Sequence, residues 1–446
     1  MNVSIQTVLQ KSPNTNLGSS EKSSHAGEGE HPGGINLRVW CRVLLGLCLI
    51  QFALLLMVTF WRNSVPATVP TRGKLYSNTN HEPFFVGRPG PWGELEYARI
   101  NVEPPDDFVP TGSEPFAPTR WTFHSYSRVQ LRALFEACEL SAAQRKELMD
   151  EAGWADDPNG IVMAPRDGLI LELDSSARRH IYSVLAESEL NPAHFQPYAF
   201  RNGGFDDWFR DSRLSEPTLK LMRRLVYQRG SAICFSDLPQ VMPQIQSVEE
   251  RQRLVKTLWR NPAVLMKLRV RPTTEVNSLT AYWSRGWHVK DIGSLLESLT
   301  HVQGSITVDV AHLLPPFARR RLNSYPDPGT YTAAQAPDCF WTAFNFFSDT
   351  PDDRFHEKAL WEQELKENYT LVSEPTYGDV ILFVRGDSLA VHAASYVADD
   401  VAFTKNGDDF RQPWVLMKTT DLLARYSHSD QIPVRLLFYR SREKNG

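Results

Sequence analysis

The stretch GTYTAAQAPDCFWTAFNFF, residues 329–347, decides how the C-terminal part of the chain is interpreted. At its centre Cys339 follows Pro337-Asp338 and precedes an apolar, aromatic run that predicts a helix. A cysteine in the first turn of a helix lies where the helix dipole favours its thiolate form. Further along the chain, after a Gly-Asp pair and an apolar strand, His392 opens another predicted strand. The sequence therefore predicts that Cys339 and His392 act as a nucleophile and its base.

The composition is that of a folded protein with more than one domain. The chain has 446 residues, of which 42% are hydrophobic and 11% aromatic, enough for two or three domains. Its net charge of −4 and the lack of a basic stripe argue against nucleic-acid binding. It contains no HExxH, Walker or GxGxxG motif and no CxxC pair, so we predict neither a metal nor an organic cofactor.

A long apolar run lies near the N-terminus. Residues 43–61, VLLGLCLIQFALLLMVTFW, carry no formal charge and are bounded on each side by an arginine. As a helix this run covers roughly 28 Å, close to the hydrocarbon thickness of a bilayer. Trp40 and Trp61 lie at its ends, where interfacial aromatic residues belong. We predict a transmembrane anchor over residues 39–62, preceded by a polar, disordered tail over residues 1–38.

Positive charges flank this predicted anchor on both sides, so their count does not set its orientation. Long domains cross membranes largely regardless of such charges. We therefore expect the short tail inside the cytoplasm and the large C-terminal part outside it. The predicted localisation is that of a single-pass membrane protein, with the bilayer as one partner.

Three segments follow the anchor. Residues 63–120 are rich in proline and predict an extended spacer. Residues 121–320 predict a helix-rich domain of unassigned role, in which Ser141 and Gln144 form a capping box and residues 264–274 form an exposed strand. The last segment predicts helices followed by short antiparallel strands with Asp, Asn and Gly turns, which is an α+β fold over residues 321–446.

The cysteines of the region after the anchor are few. Cys138 and Cys234 could form a disulfide in an oxidising compartment, or remain buried and reduced. If Cys138 and Cys234 pair, Cys339 is the one cysteine left over, and a catalytic role would account for its free thiol.

A third polar group should orient the imidazole of His392. Thr404 fits the register of the next predicted strand, whereas Asn406 has the more suitable chemistry but lies in a predicted Asn-Gly turn. Lys405 lies between them and can only donate hydrogen bonds. The backbone N–H of Cys339 is the natural oxyanion donor. We therefore predict a catalytic set of Cys339 and His392, completed by Thr404 or Asn406.

The order of these motifs resembles that of the NlpC-type cysteine peptidases. The residues that carry the resemblance are Asp338-Cys339 opening a helix, Gly378-Asp379 before the strand Val-Ile-Leu-Phe, and His392-Ala-Ala-Ser-Tyr396. The resemblance covers residues 321–446 and implies a papain-like α+β domain with an antiparallel sheet. Many members of that family cleave amide bonds in bacterial cell-wall peptides. The chain departs from the family at Phe340, where serine is usual, and at Ala394-Ser395, where Gly-Ile is common.

Three functions follow from this resemblance. The first is a membrane-anchored cysteine hydrolase that cleaves an amide bond in a peptide or cell-wall substrate through Cys339 and His392. The second is a binding or scaffold protein of the same fold without activity, which Phe340 and the open choice of third residue favour. The third is an acyltransferase, because the same thioester can pass its acyl group to an amine or a hydroxyl group.

Overall fold

The computed structural model describes most of the chain after residue 83. The described ranges are 84–109, 117–200, 204–230, 232–285, 287–332, 335–386, 389–426 and 433–442. They belong to one compact unit. The predicted tail and anchor lie outside these ranges, and no helix among the described residues is long and apolar enough to cross a membrane.

Helices and strands alternate along these ranges. The helices are α1 Arg128–Ala137, α2 Ala142–Leu148, α3 Asp167–Glu172, α4 Ser175–Leu185, α5 Pro192–Phe195, α6 Phe205–Phe209, α7 Glu216–Leu225, α8 Leu238–Val241, α9 Val248–Leu258, α10 Val276–Ser284, α11 Val289–Thr300, α12 Pro316–Arg321, α13 Cys339–Phe344, α14 Lys358–Asn368 and α15 Thr419–Tyr426. The strands are β1 Phe85–Val86, β2 Glu94–Val102, β3 Trp121–His124, β4 Trp154–Asp157, β5 Gly160–Met163, β6 Tyr198–Phe200, β7 Tyr227–Arg229, β8 Ala232–Phe235, β9 Asn261–Val270, β10 Ile306–Asp309, β11 Tyr369–Val372, β12 Val380–Arg385, β13 Leu389–Ala398, β14 Val401–Lys405, β15 Trp414–Lys418 and β16 Val434–Ser441.

The largest sheet is built from the C-terminal strands, in the order β11-β16-β12-β13-β14-β15, and its neighbours are antiparallel. A second sheet has the order β1-β2-β9-β10, and two smaller sheets have the orders β3-β5-β4 and β6-β8-β7. Strands β12 to β15 are rich in β-branched and aromatic residues and are buried along nearly their whole length. Helix α13 packs on one face of the sheet, and residues of β2, β9 and α15 pack on the other. The predicted α+β class with antiparallel sheets is confirmed.

Strand β9 differs from the prediction. Residues 264–274 were expected to form an exposed strand, but β9 alternates buried and half-buried residues and lies between two partners. Strand β2, which falls in the predicted proline-rich spacer, pairs with it from Glu94 opposite Arg269 to Val102 opposite Asn261. Because β10 pairs with its other edge, β9 is an interior strand, and the prediction of exposure is wrong.

One hydrophobic core contains residues from both sides of the predicted boundary at residue 320. Leu268 and Trp283 lie before this boundary, Phe344 and Phe403 lie after it, and all four pack in the same cluster. The described parts of the two predicted segments therefore share buried apolar surface.

Two local predictions can be compared directly with the structure. Ser141 caps α2 and forms the predicted capping box with Gln144, so that prediction is confirmed. Cys138 and Cys234 are both buried and free, which matches the reduced alternative. Burial raises the pKa of the Cys138 thiol to about 11 and that of Cys234 to about 12.

Candidate functional site

Cys339 is the first residue of α13. The carboxylate of Asp338 caps this helix by accepting a hydrogen bond from the Trp341 backbone N–H at 2.7 Å. The Cys339 side chain is buried, with 6% of its surface exposed. The ring of Phe340 stacks on Trp361, with centroids 4.3 Å apart and an angle of 7° between the planes. The aromatic residues after the cysteine therefore pack in or against the core, and Phe340 holds α13 against α14.

His392 lies on β13 and is fully buried. Its Nε2 is 2.9 Å from the Thr404 hydroxyl on β14, and its ring stacks on Tyr426 with centroids 4.3 Å apart. Phe383 packs edge-on against the same ring. Nδ1 has no hydrogen-bond partner among the described residues. In the tautomer in which Nε2 donates to Thr404, Nδ1 carries the lone pair that a general base needs.

The two predicted candidates for the third residue lie in different places. Thr404 contacts the imidazole of His392, as the register of its strand predicts. Asn406 instead donates through Nδ2 to the Asn261 side chain at 3.1 Å and approaches the sulfur of Met417 at 3.7 Å. The structure therefore brings Thr404, and not Asn406, to the imidazole.

Cys339 and His392 lie near the same strand but on different sides of it: the His392 ring packs with Phe383 and Tyr426 on one face of β13, whereas Ala393 packs with Ala343 of α13 on the other. The amide N–H of Ala393, the residue after His392, points to the Cys339 thiol. Tyr426, whose ring covers His392, is close enough to Cys339 for the thiolate charge to help raise the Tyr426 pKa, although burial is the larger cause. The thiol and the imidazole do not form a hydrogen bond with each other: Nε2 bonds Thr404, and Nδ1 has no partner in the described part of the chain.

The charge states of the pair follow from burial. Burial and the neighbouring Asp338 raise the pKa of the Cys339 thiol to about 12, although the Ala393 amide and Lys405 oppose this change. Burial also lowers the pKa of His392 well below its usual value of 6.5. At neutral pH the pair therefore consists of a thiol and a neutral imidazole, and not of a thiolate and an imidazolium.

This burial has a consequence for stability. Below pH 6.5 the unfolded chain binds a proton on His392 while the folded chain does not, so His392 lowers the free energy of unfolding as the pH falls. For each pH unit below 6.5, we expect the free energy of unfolding of His392→Gln to fall by about 1.4 kcal/mol less than that of the wild type. Urea unfolding of both proteins between pH 5 and 7 measures the difference between their free energies of unfolding. The contributions of the other titrating groups are the same in both proteins and cancel in this difference. Equal slopes for the two proteins would contradict the burial of a neutral imidazole.

The Gly-Asp pair before β12 has a structural role. Gly378 has a φ of 80°, and a Cβ atom at this position would collide with the ring of Phe347. Asp379 is fully buried and accepts hydrogen bonds from Arg285 at 2.6 Å and from Arg440 at 2.8 Å. The pair thus fixes the start of the strand that lies beside β13.

The sequence did not indicate the ring of Tyr426, which stacks on His392 from the last turn of α15. α15 ends at this tyrosine, and no local signal in the sequence shows which strand the helix covers. For the same reason, the sequence did not indicate that Arg285 and Arg440 donate hydrogen bonds to Asp379.

Within the described ranges, no group of three or more His, Cys, Asp or Glu residues is arranged to hold a metal ion. Comparison of the chain with protein-family models, curated proteins and solved structures found no match. The resemblance to NlpC-type peptidases therefore rests on the motifs quoted above.

Proposed function

We propose that this chain is a cysteine hydrolase of amide bonds, with Cys339 as the nucleophile and His392 as the general base. The observation that supports the proposal is the state of the imidazole. Thr404 holds Nε2 at 2.9 Å, whereas Nδ1 is buried without a partner in the described ranges, and the backbone N–H of the next residue, Ala393, points to the Cys339 thiol. An oriented base with one free nitrogen is what a neutral thiol requires for deprotonation.

The reaction divides into acylation and hydrolysis. The Cys339 sulfur attacks the carbonyl carbon, and the S–H proton passes to Nδ1 of His392. The developing oxyanion lies near the backbone N–H of Cys339 at the start of α13. The imidazolium, whose Nε2–H donates to Thr404, then protonates the leaving amine as the C–N bond breaks. Water, deprotonated by His392, attacks the thioester and releases the acid and the thiol.

Access to this site requires movement of side chains. Cys339 is 6% exposed and His392 is fully buried, so an amide cannot reach the sulfur in the arrangement described here. Tyr426 covers the imidazole and is therefore among the side chains that the substrate must displace. The proposed reaction also requires the thiol and Nδ1 to come together, which they do not in the resting structure.

The substrate class that we propose is cell-wall peptide, as the NlpC-type resemblance implies, with the predicted anchor at residues 39–62 holding the domain at a membrane. The test is incubation of the full-length chain with purified peptidoglycan sacculi, followed by measurement of new amino groups. Release of amines at a rate proportional to enzyme concentration supports the proposal. The absence of release both from sacculi and from soluble cell-wall peptides would overturn the substrate class.

A binding or scaffold role is the second candidate, and a specific observation favours it. Both members of the pair are buried and neutral, which is also what an inactive core would show. An acyltransferase would share the thioester and differ only in its acceptor. Sacculi that bind the chain without releasing amines would support the scaffold, and transfer to an added primary amine would support the acyltransferase.

The contact between Thr404 and His392 gives a further test of the hydrolase. We expect Thr404→Val to lower the rate of amine release about tenfold to hundredfold, because the imidazole loses the partner that fixes its tautomer. Thr404→Ser keeps the hydroxyl and should retain most of the activity. If the valine and serine variants are equally active, Thr404 does not orient the base.

A further inference from the structure

Lys405 is a buried cation beside the proposed nucleophile. It is the last residue of β14, and its side chain is fully buried. Its ammonium donates to the backbone carbonyls of Gly407 at 2.7 Å and Asp409 at 3.0 Å. These two carbonyls take two of its three N–H groups. Burying a lysine is unfavourable unless its charge is compensated, so neutral carbonyls alone are a poor explanation for its position.

The sheet places this ammonium close to the first turn of α13. Lys405 lies opposite Trp414 on β15, and the indole of Trp414 donates to the Thr342 hydroxyl at 3.0 Å. Thr342 belongs to the same helical turn as Cys339, because its N–H bonds to the carbonyl of Asp338. Trp414 therefore links the end of β14 to the first turn of α13.

The electrostatic effects agree with this placement. Lys405 lowers the pKa of Asp338 and that of Cys339, although burial is the larger effect on each and raises both values. Burial lowers the pKa of Lys405 itself to about 8, while Asp408, Asp409, Asp338 and Cys339 oppose this change. The side chain is thus mainly an ammonium at neutral pH, and the carboxylates of Asp408, Asp409 and Asp338 favour this charged form.

We propose that Lys405 is a positioning residue whose buried ammonium stabilises the negative charge that forms on Cys339 when its thiol loses a proton. The proposal rests on the proposed nucleophile, and it assigns the site a cation in addition to His392. Because the thiol starts neutral in a buried site, a fixed positive charge nearby lowers the free energy of the thiolate that attacks the substrate.

The experiment measures the alkylation of Cys339 by iodoacetamide in the full-length chain between pH 6 and 9.5, with the labelled peptide identified by mass spectrometry. Lys405→Gln removes the charge but keeps N–H groups that can donate to the same carbonyls. Lys405→Arg keeps the charge. The matched control is Lys418→Gln, because Lys418 is also buried but pairs with Asp400 at the opposite end of the β14-β15 ladder.

We expect Lys405→Gln to slow the alkylation of Cys339 about threefold to tenfold at pH 7, because loss of the charge lowers the fraction of Cys339 that is thiolate. A thiolate of higher pKa is also more nucleophilic, which offsets part of this loss. The difference from the wild type should vanish above pH 8, where Lys405 becomes neutral. Lys418→Gln should follow the wild-type profile. Lys405→Arg should follow it below pH 8 and alkylate faster than the wild type above pH 8, because a guanidinium stays charged there. A merely structural lysine would not produce a difference confined to pH values below 8.

The proposal is overturned if folded Lys405→Gln has the wild-type profile. It is also overturned, even if Lys405→Gln and Lys405→Met fail to fold, when folded Lys405→Arg alkylates no faster than the wild type above pH 8, because the lysine would then be structural. Alkylation requires no substrate, so this outcome is independent of whether sacculi are cleaved. A chain that shows the expected profile but releases no amines would keep the role of Lys405 in thiolate stability and reject the proposed hydrolysis.

Discussion

Replacement of Cys339 by alanine should lower the release of amino groups from peptidoglycan sacculi by at least about a thousandfold. The reason is that alanine leaves His392 without a thiol to deprotonate, so no thioester forms. The side chain is small and lies at the edge of a helix capped by Asp338, so the variant should fold. The measurement is the initial rate of amine release at equal concentrations of folded protein.

The matched control for this prediction is Cys234→Ala. Cys234 is also free and buried, and burial raises its pKa to about 12, as it does for Cys339. It packs in a separate cluster with Trp121 and Tyr182, away from the proposed pair. This variant should keep the wild-type rate. If the two alanine variants lose activity to the same extent, the loss reports a damaged core and not a missing nucleophile.

Replacement of Asp379 by alanine should lower the free energy of unfolding by about 3 kcal/mol. The carboxylate is fully buried between two guanidinium groups, so its removal leaves Arg285 and Arg440 facing each other without a counter-charge. Both arginine side chains are partly exposed, at 23% and 39%, so solvent reduces the effect below that of a fully buried pair. Urea unfolding at neutral pH measures the change.

Asp156→Ala provides the surface comparison. Asp156 pairs with Arg128 at 2.9 Å, but its side chain is 75% exposed, and such pairs contribute little to stability. We expect a change within about 0.5 kcal/mol for this variant. An effect of Asp379→Ala as small as that of Asp156→Ala would show that the Gly-Asp pair does not anchor β12.

Local signals in the sequence predicted much of the site. The sequence predicts that Asp338-Cys339 opens a helix, and in the structure Asp338 caps α13. The alternation along β14 placed Thr404 in register with His392, and their hydrogen bond has that register. Caps and strand alternation depend on neighbouring residues, so they can be derived from the sequence alone.

Contacts between distant segments could not be predicted. The pairing of β2 with β9 gives β9 two neighbours and buries it, although its sequence alone indicates exposure. The arginines that hold Asp379 come from a helix before β12 and from the last strand of the sheet, and Tyr426 reaches His392 from α15. Each contact depends on tertiary packing, which short-range patterns do not encode.

The balance of forces on the thiol also differs from the sequence-based expectation. The helix dipole alone favours a thiolate at the first turn of α13. Burial opposes it more strongly, and the capping carboxylate of Asp338 adds negative charge at the same helix end. The structure therefore indicates a neutral thiol at rest. The proposed reaction assigns its deprotonation to His392 and the stabilisation of the thiolate to Lys405.

The central claim is that Cys339 attacks an amide and carries the acyl group, and the most direct test is to trap that intermediate. The full-length chain is mixed with soluble cell-wall peptides, quenched in acid within one turnover and analysed by mass spectrometry of the peptide that contains Cys339. We predict an acyl adduct on Cys339 that hydroxylamine removes, and no adduct on Cys138 or Cys234. The claim is contradicted if the wild type releases amines without any adduct on Cys339 and Cys339→Ala releases them at the same rate.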